Sequence, residues 1–225
     1  MSFINTDKLD NPVWHSLSES HKEFAIEYEG IKFYNPEYCP FGGFNSLYKT
    51  EDVDDYAELV DNFFIVGEKP SFSDNLKLKA EVVCLQMIID KPVEGEITNE
   101  IVPLTSKYTD ALYELVNLVQ PGYFKKKTAL LGNYFGIFEN NVLVAVTGER
   151  MKMNDFVEIS AVVTHPGHGG KGYAKQLVTH VANTIFSQDK VPYLHVVNNN
   201  IGAIKLYEKL GFTTRREISF WNITK

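Results

Sequence analysis

The chain has 225 residues, 44% of them hydrophobic, 13% aromatic and 23% charged, which supplies core for one large domain or two small ones and excludes a disordered or fibrous protein. With a net charge of −7 and Lys125-Lys126-Lys127 as its densest basic run, it lacks the positive face that nucleic-acid phosphates require. No apolar run approaches the roughly 20 residues of a membrane span, the N-terminus reads as no signal peptide, and Cys39 and Cys84 have no metal or redox spacing, so a soluble, cytoplasmic protein with neither metal, nucleic acid nor membrane as partner is expected.

Asn11-Pro12 predicts the start of a short helix carrying Trp14 and Leu17. Phe24 to Tyr28 and Ile31 to Tyr34 flank Glu29-Gly30 and read as a hairpin. Pro40-Phe41-Gly42-Gly43-Phe44 reads as a tight turn with aromatic anchors. Asp54 to Val60 is predicted helical, and Phe63 to Val66 and Glu81 to Ile89 are predicted strands. Asp90 to Glu96, rich in charge with a Pro and a Gly, marks the expected boundary between a segment 1–95 and a segment 96–225.

Beyond it, Ile97 to Leu104 reads as a strand. Leu112, Leu115, Val116 and Val119 fall on one face of a helix that Pro121-Gly122 stops. Tyr134 to Phe138 and Val142 to Val146 form a hairpin around Glu139-Asn140-Asn141. Then follow a strand over Phe156 to Thr164, a helix over Tyr173 to Ser187, a strand over Pro192 to Val197, a helix over Ile201 to Leu210 and a strand over Thr214 to Ile223. That succession describes a mixed α/β sheet.

Gly167-His168-Gly169-Gly170-Lys171-Gly172 lies between a strand and a helix and satisfies GxGxxG. Such loops let backbone approach a pyrophosphate at a helix start. Only about fifty residues follow, too few for the usual dinucleotide domain, and Gly172 stands where a Walker loop needs Ser or Thr.

Glu158 to Pro166 leads into this loop, and Asn200-Ile201-Gly202-Ala203-Ile204-Lys205-Leu206-Tyr207-Glu208-Lys209-Leu210-Gly211-Phe212 follows about thirty residues later. With these motifs the sequence resembles the GNAT superfamily of acetyl-CoA-dependent N-acetyltransferases, over about Glu96 to Lys225. Pro121-Gly122, Leu131-Gly132 and Gly148-Glu149-Arg150-Met151 extend the likeness to an uncharacterised bacterial branch with an additional N-terminal segment. The resemblance implies a mixed, mostly antiparallel sheet flanked by helices (an α+β arrangement), with residues 1–95 as an extra α/β segment, a candidate degenerate GNAT half.

It further implies that acetyl-CoA is bound by the backbone of Val162, Val163 and Thr164, by the loop and helix start at Gly169, Gly170, Lys171, Gly172, Tyr173 and Ala174, and by Asn200, Ala203 and Tyr207. Tyr207 matches the tyrosine that protonates the leaving thiolate, and Glu158 the segment carrying a catalytic glutamate. Burial is expected to raise the pKa of Glu158 and suit it as a general base, while pairing with Arg150 on the neighbouring strand is the alternative. Strand alternation places Glu158, Ser160, Val162 and Thr164 on one face. Asn200 also reads as an N-cap, Tyr207 as a packed aromatic, His165 and His168 as loop residues, and His195 as packed in its strand. The family's usual Arg or Gln is replaced by Gly169. The implied function is acetyl transfer to a primary amine, on a small molecule or a protein, by direct attack in a ternary complex; the alternative is a catalytically weak CoA-binding sensor or interaction module.

Overall fold

In the computed structural model, which describes residues 5–225, Pro12 opens helix α1 (Pro12–Ser18), where its missing N–H is no loss, and Val13 and Leu17 are buried. Strands β1 (Ala25–Tyr28) and β2 (Ile31–Tyr34) form the expected antiparallel hairpin. The tight turn expected at Pro40 to Phe44 is instead strand β3 (Phe41–Phe44). Its glycines serve close approach: a side chain at Gly42 would collide with the Phe33 ring, and one at Gly43 would come within 2.7 Å of Asn11 Oδ1. Helix α2 (Thr50–Ala57) begins four residues before Asp54, and strands β4 (Asn62–Gly67) and β5 (Lys77–Ile88) follow.

Of the strand expected over Ile97 to Leu104, only β6 (Val102–Pro103) forms. The backbone N–H groups of Thr98 and Asn99 donate instead to the Gln176 side-chain oxygen, at 2.8 and 2.9 Å. Helix α3 (Thr109–Val119) buries Leu112, Leu115 and Val116 as the spacing predicts. Strands β7 (Tyr134–Glu139) and β8 (Val142–Lys152) meet through Asn140 and Asn141, both at positive φ, as a tight hairpin turn requires. Strand β9 (Phe156–Thr164), helix α4 (Tyr173–Phe186), strand β10 (Val191–Val197), helix α5 (Ile201–Lys209) and strand β11 (Thr213–Thr224) complete the chain.

Among the described residues eleven strands join one sheet in the order β1-β2-β3-β4-β11-β5-β10-β9-β8-β7-β6. Within it β3–β4 and β9–β10 are parallel pairs, and the other described pairs are antiparallel. On β9, Phe156 packs with α1 while the next residue, Val157, packs with α4 and α5, so these helices cover opposite faces. Among the described residues no helix is long and apolar enough to cross a membrane. The stretch 90–96 separates strands that are neighbours in space: β5, from before it, lies between β10 and β11, from after it.

Candidate active site

Strand β9 shapes the site. It pairs with β10 only from Phe156–Val191 to Ile159–Leu194, and beyond that point the parallel strands diverge like a fork. The edge of β9 from Ser160 to Thr164 therefore faces a gap, with its backbone groups free to bond an inserted chain. At the same point β9 bulges: Ala161 takes φ +52, and Ala161 and Val162 together stand opposite Thr147, between the pairs Val146–Val163 and Gly148–Ser160. Holding a non-glycine residue in this left-handed region costs on the order of 1 kcal/mol, and bulges re-aim the groups they interrupt.

The bulge also corrects the expected alternation. Ala161 and Val163 pack beneath α3, while Val162 packs toward α4 and α5 with Val157 and Ile159. Glu158 therefore does not share a face with Val162, because the bulge shifts the side-chain sequence by one.

A cleft of about 310 Å³ opens at the fork. On one side stand Val162, Ala203 and Tyr207; on the other lie Arg150, Glu158 and His195. Glu158 is buried, and its two oxygens accept bonds from Arg150 Nε and Nη2, both at 2.7 Å. His195 Nδ1 donates to Glu158 Oε1 at 2.8 Å, which leaves Nε2 to accept from the Gln86 amide at 3.1 Å. Burial alone would raise the Glu158 pKa, but the Arg150 charge and hydrogen bonds, with help from His195, hold it down at about 2. The expectation of a raised pKa is thus corrected, and the alternative pairing with Arg150 is the one found: a carboxylate saturated by a guanidinium has little affinity for a proton.

Tyr207 is also buried, and burial raises its phenol pKa, so the hydroxyl keeps its proton at neutral pH. Asn200 combines both of its readings: its side chain caps α5 by accepting from Ala203 N at 3.2 Å, and it lines the cleft. Cys84, on β5, lines the cleft as well. Burial pushes its thiol up to about 12, so it is not a thiolate nucleophile.

The glycine loop runs from the end of β9 to α4. Gly170 and Gly172 both adopt φ +77, and a Cβ at either would meet no heavy atom within 4 Å. Open space thus borders the start of a 14-residue helix whose first N–H groups have no partners in the helix. An anion such as a pyrophosphate fits this combination. The side chains here turn elsewhere: Lys171 Nζ reaches Glu139 at 2.7 and 2.9 Å, and Tyr173 Oη also bonds Glu139. What Lys171 and Tyr173 offer a ligand is therefore backbone. Val163 is buried against α3 and likewise offers only main chain, while Thr164 is half-buried and Ala174 sits in the first turn of α4. Gly169 has an ordinary φ of −64 with open space beside it, so its backbone does not demand glycine. His168 binds Glu139 and His165 accepts from Gly167 N, as befits loop residues.

Phe41, Val82, Cys84, Tyr123 and Phe220, none of them assigned to a site from sequence, also line the cleft. Apart from Tyr123 and Phe220 they come from before residue 96. His195 was legible as a buried strand residue, but its bond to Glu158 depends on β10 lying beside β9.

Residues 134–221 match the model of the family described as FR47-like protein. Among solved structures, the chain is similar to a GNAT-family protein from Novosphingobium aromaticivorans, with 29% identity over 96% of this chain and 98% of that one and a TM-score of 0.87. A GCN5-related N-acetyltransferase-like protein from Streptococcus suis shares the fold at 14% identity, 98% and 94% coverage and a TM-score of 0.65. A tandem GNAT protein from the clavulanic acid biosynthesis pathway does so at 12% identity, 86% and 78% coverage and a TM-score of 0.55. No curated protein matches the sequence.

Proposed function

We propose that this chain, whose residues 134–221 match the FR47-like model and whose fold is similar to that of a GNAT-family protein, transfers an acetyl group from acetyl-CoA to a primary amine by direct attack. The observation that carries this reading is the fork between β9 and β10, with the Ala161–Val162 bulge at its mouth and Tyr207 facing it. Acetyl-CoA supplies a thioester. The free edge of β9 at Val162 to Thr164 would hold the pantetheine arm, and Gly169 to Ala174 the pyrophosphate. Asn200 and Ala203 would border the arm on its α5 side.

In the transfer, the amine nitrogen bonds to the acyl carbon as the carbon–sulfur bond breaks. Backbone N–H groups freed at the bulge are placed to stabilise the developing oxyanion, an effect worth a few kcal/mol in aligned sites. Tyr207 gives its phenolic proton to the departing sulfur and regains one from solvent. The proton lost by the amine goes to Nε2 of His195, the imidazole at the wall, which Glu158 holds in place through Nδ1; this step requires Gln86 to release Nε2. Glu158 is then a positioning residue. The inert Cys84 thiol favours direct attack over an acyl-cysteine route.

Acetyl-CoA at about a hundred times its Kd should raise the melting temperature by about 5–10 °C, from about 2.7 kcal/mol of linkage in a chain of this length. NADH should leave it unmoved. Tyr207→Phe should keep that shift yet reduce turnover, since general acid catalysis is worth about 10² to 10⁴-fold. A shift with NADH and none with acetyl-CoA would overturn the reading.

A further inference from the structure

We propose that the acceptor is a small monoamine carried on an apolar, planar body, seated against a wall that the N-terminal part of the chain helps to build. This rests on the acyl-transfer reading, which assigns the cleft to an amine, and adds which amine it fits.

Beside Arg150, Glu158 and His195, the cleft has an aromatic stretch lined by Phe41, Tyr123 and Phe220. Phe41 packs edge-on against Phe220 with ring centroids 5.5 Å apart, and Tyr123 tilts against Phe41 and Phe64 at 6.4 and 5.2 Å. Val82 and Cys84 of β5 continue the surface. Tyr123, exposed just past the end of α3, leaves part of its ring open to solvent. A flat apolar body can stack there, as aromatic groups do at offset or edge-on geometry.

Charge narrows the class further. Glu158 is the only carboxylate among the described residues that line the cleft, and Arg150 and His195 already occupy its oxygens. The Phe41 face is taken as well, with the Arg150 guanidinium carbon 4.7 Å from its centroid. A polyamine or an aminosugar bearing several ammonium groups would have to leave at least one desolvated without a counter-charge, at high cost. A single amine meets the opposite situation. Apolar walls and a neighbouring guanidinium disfavour its protonated form, which is the form that cannot attack. At about 310 Å³ the cleft lies at the small end of ligand pockets and must also admit the acyl end. That leaves room for a group of benzene-ring size.

Calorimetric titration of the full-length protein with phenethylamine and with spermidine, without cofactor, tests this directly. Phenethylamine should bind about tenfold or more tightly than spermidine, and Tyr123→Ala should weaken it about fivefold or more, in line with losing a stacked ring. Tyr123 is exposed enough for that variant to fold. Spermidine binding as tightly as phenethylamine, or Tyr123→Ala leaving the phenethylamine Kd unchanged, would overturn the proposal. The melting-temperature response to acetyl-CoA is measured separately, so failure of the acyl-transfer reading would show there and not here.

Discussion

Glu158→Gln keeps the size of the side chain and removes the charge that Arg150 needs. The guanidinium would then sit buried with an uncompensated charge, a situation that costs about 3–5 kcal/mol when one partner of a buried pair is removed. Denaturant unfolding should show that loss, and Arg150→Met combined with Glu158→Leu should recover most of it, since a packed apolar pair avoids both desolvation penalties. The same carboxylate has a pH signature. Its folded pKa of about 2 lies below the ordinary 4.5, so between these values the unfolded chain binds the proton and the native protein does not. The stabilisation is complete above the ordinary value and fades as pH falls toward 2. Parent protein should lose stability through that window with a slope that Glu158→Gln lacks. Sequence reading located Glu158 and named Arg150 as its alternative partner, because strands joined by a short turn put such residues side by side. The place of His195 was hidden, since it requires knowing which strand lies beyond β9.

At the scale of single elements, the glycine loop separates glycines that the backbone requires from one that it does not. Gly172 sits at φ +77 as the residue before α4, where a β-branched side chain is strained. Gly169 sits at φ −64 and ψ 162, an extended conformation open to any residue, with nothing to collide with. Gly172→Val should therefore weaken acetyl-CoA binding and cost stability. Gly169→Arg should raise stability by about 0.4–1 kcal/mol through the unfolded chain, and a cation beside the helix start should tighten acetyl-CoA binding. Isothermal titration of both variants checks the pair, and equal affinities would place the pyrophosphate elsewhere. The loop itself was legible because its residue types are its mechanism. The β9 bulge was not, because its pivot is Ala161, a residue that gives no sign of positive φ. Strand β3 was missed for the opposite reason: Gly42-Gly43 looks like a turn, yet the glycines make way for Phe33, Asn11 and Trp14.

For the whole molecule, the position of β5 is decisive. Charge, Pro and Gly at 90–96 mark a connection, and composition carries no sign that the strands on its two sides interleave. That arrangement is set by long-range pairing, which local pattern does not encode. Strand β5 lies between β10 and β11, meeting β10 through Val197–Cys84 to Tyr193–Ile88 and running along β11 from Thr213 to Thr224. Without it, two strands in the middle of the sheet would each expose an open edge, an invitation to aggregation. The buried cluster shared by Leu9, Val13, Tyr34, Phe41, Cys84, Met151, Phe156, Tyr193 and Phe220 would lose its N-terminal members. His21 adds a polar tie across the same divide: it is buried between the Tyr34 hydroxyl at 2.8 Å and the Leu131 carbonyl at 2.9 Å. We therefore expect residues 1–95 to be part of one folding unit with the rest, and a chain starting at Glu96 to be insoluble or to lack a cooperative thermal transition. Supplying residues 1–95 as a separate chain during expression should restore both solubility and the acetyl-CoA melting shift, because β5 can add to the sheet without a covalent link. A soluble 96–225 fragment that melts cooperatively by itself would show instead that the sheet closes without β5 and that the two segments fold independently.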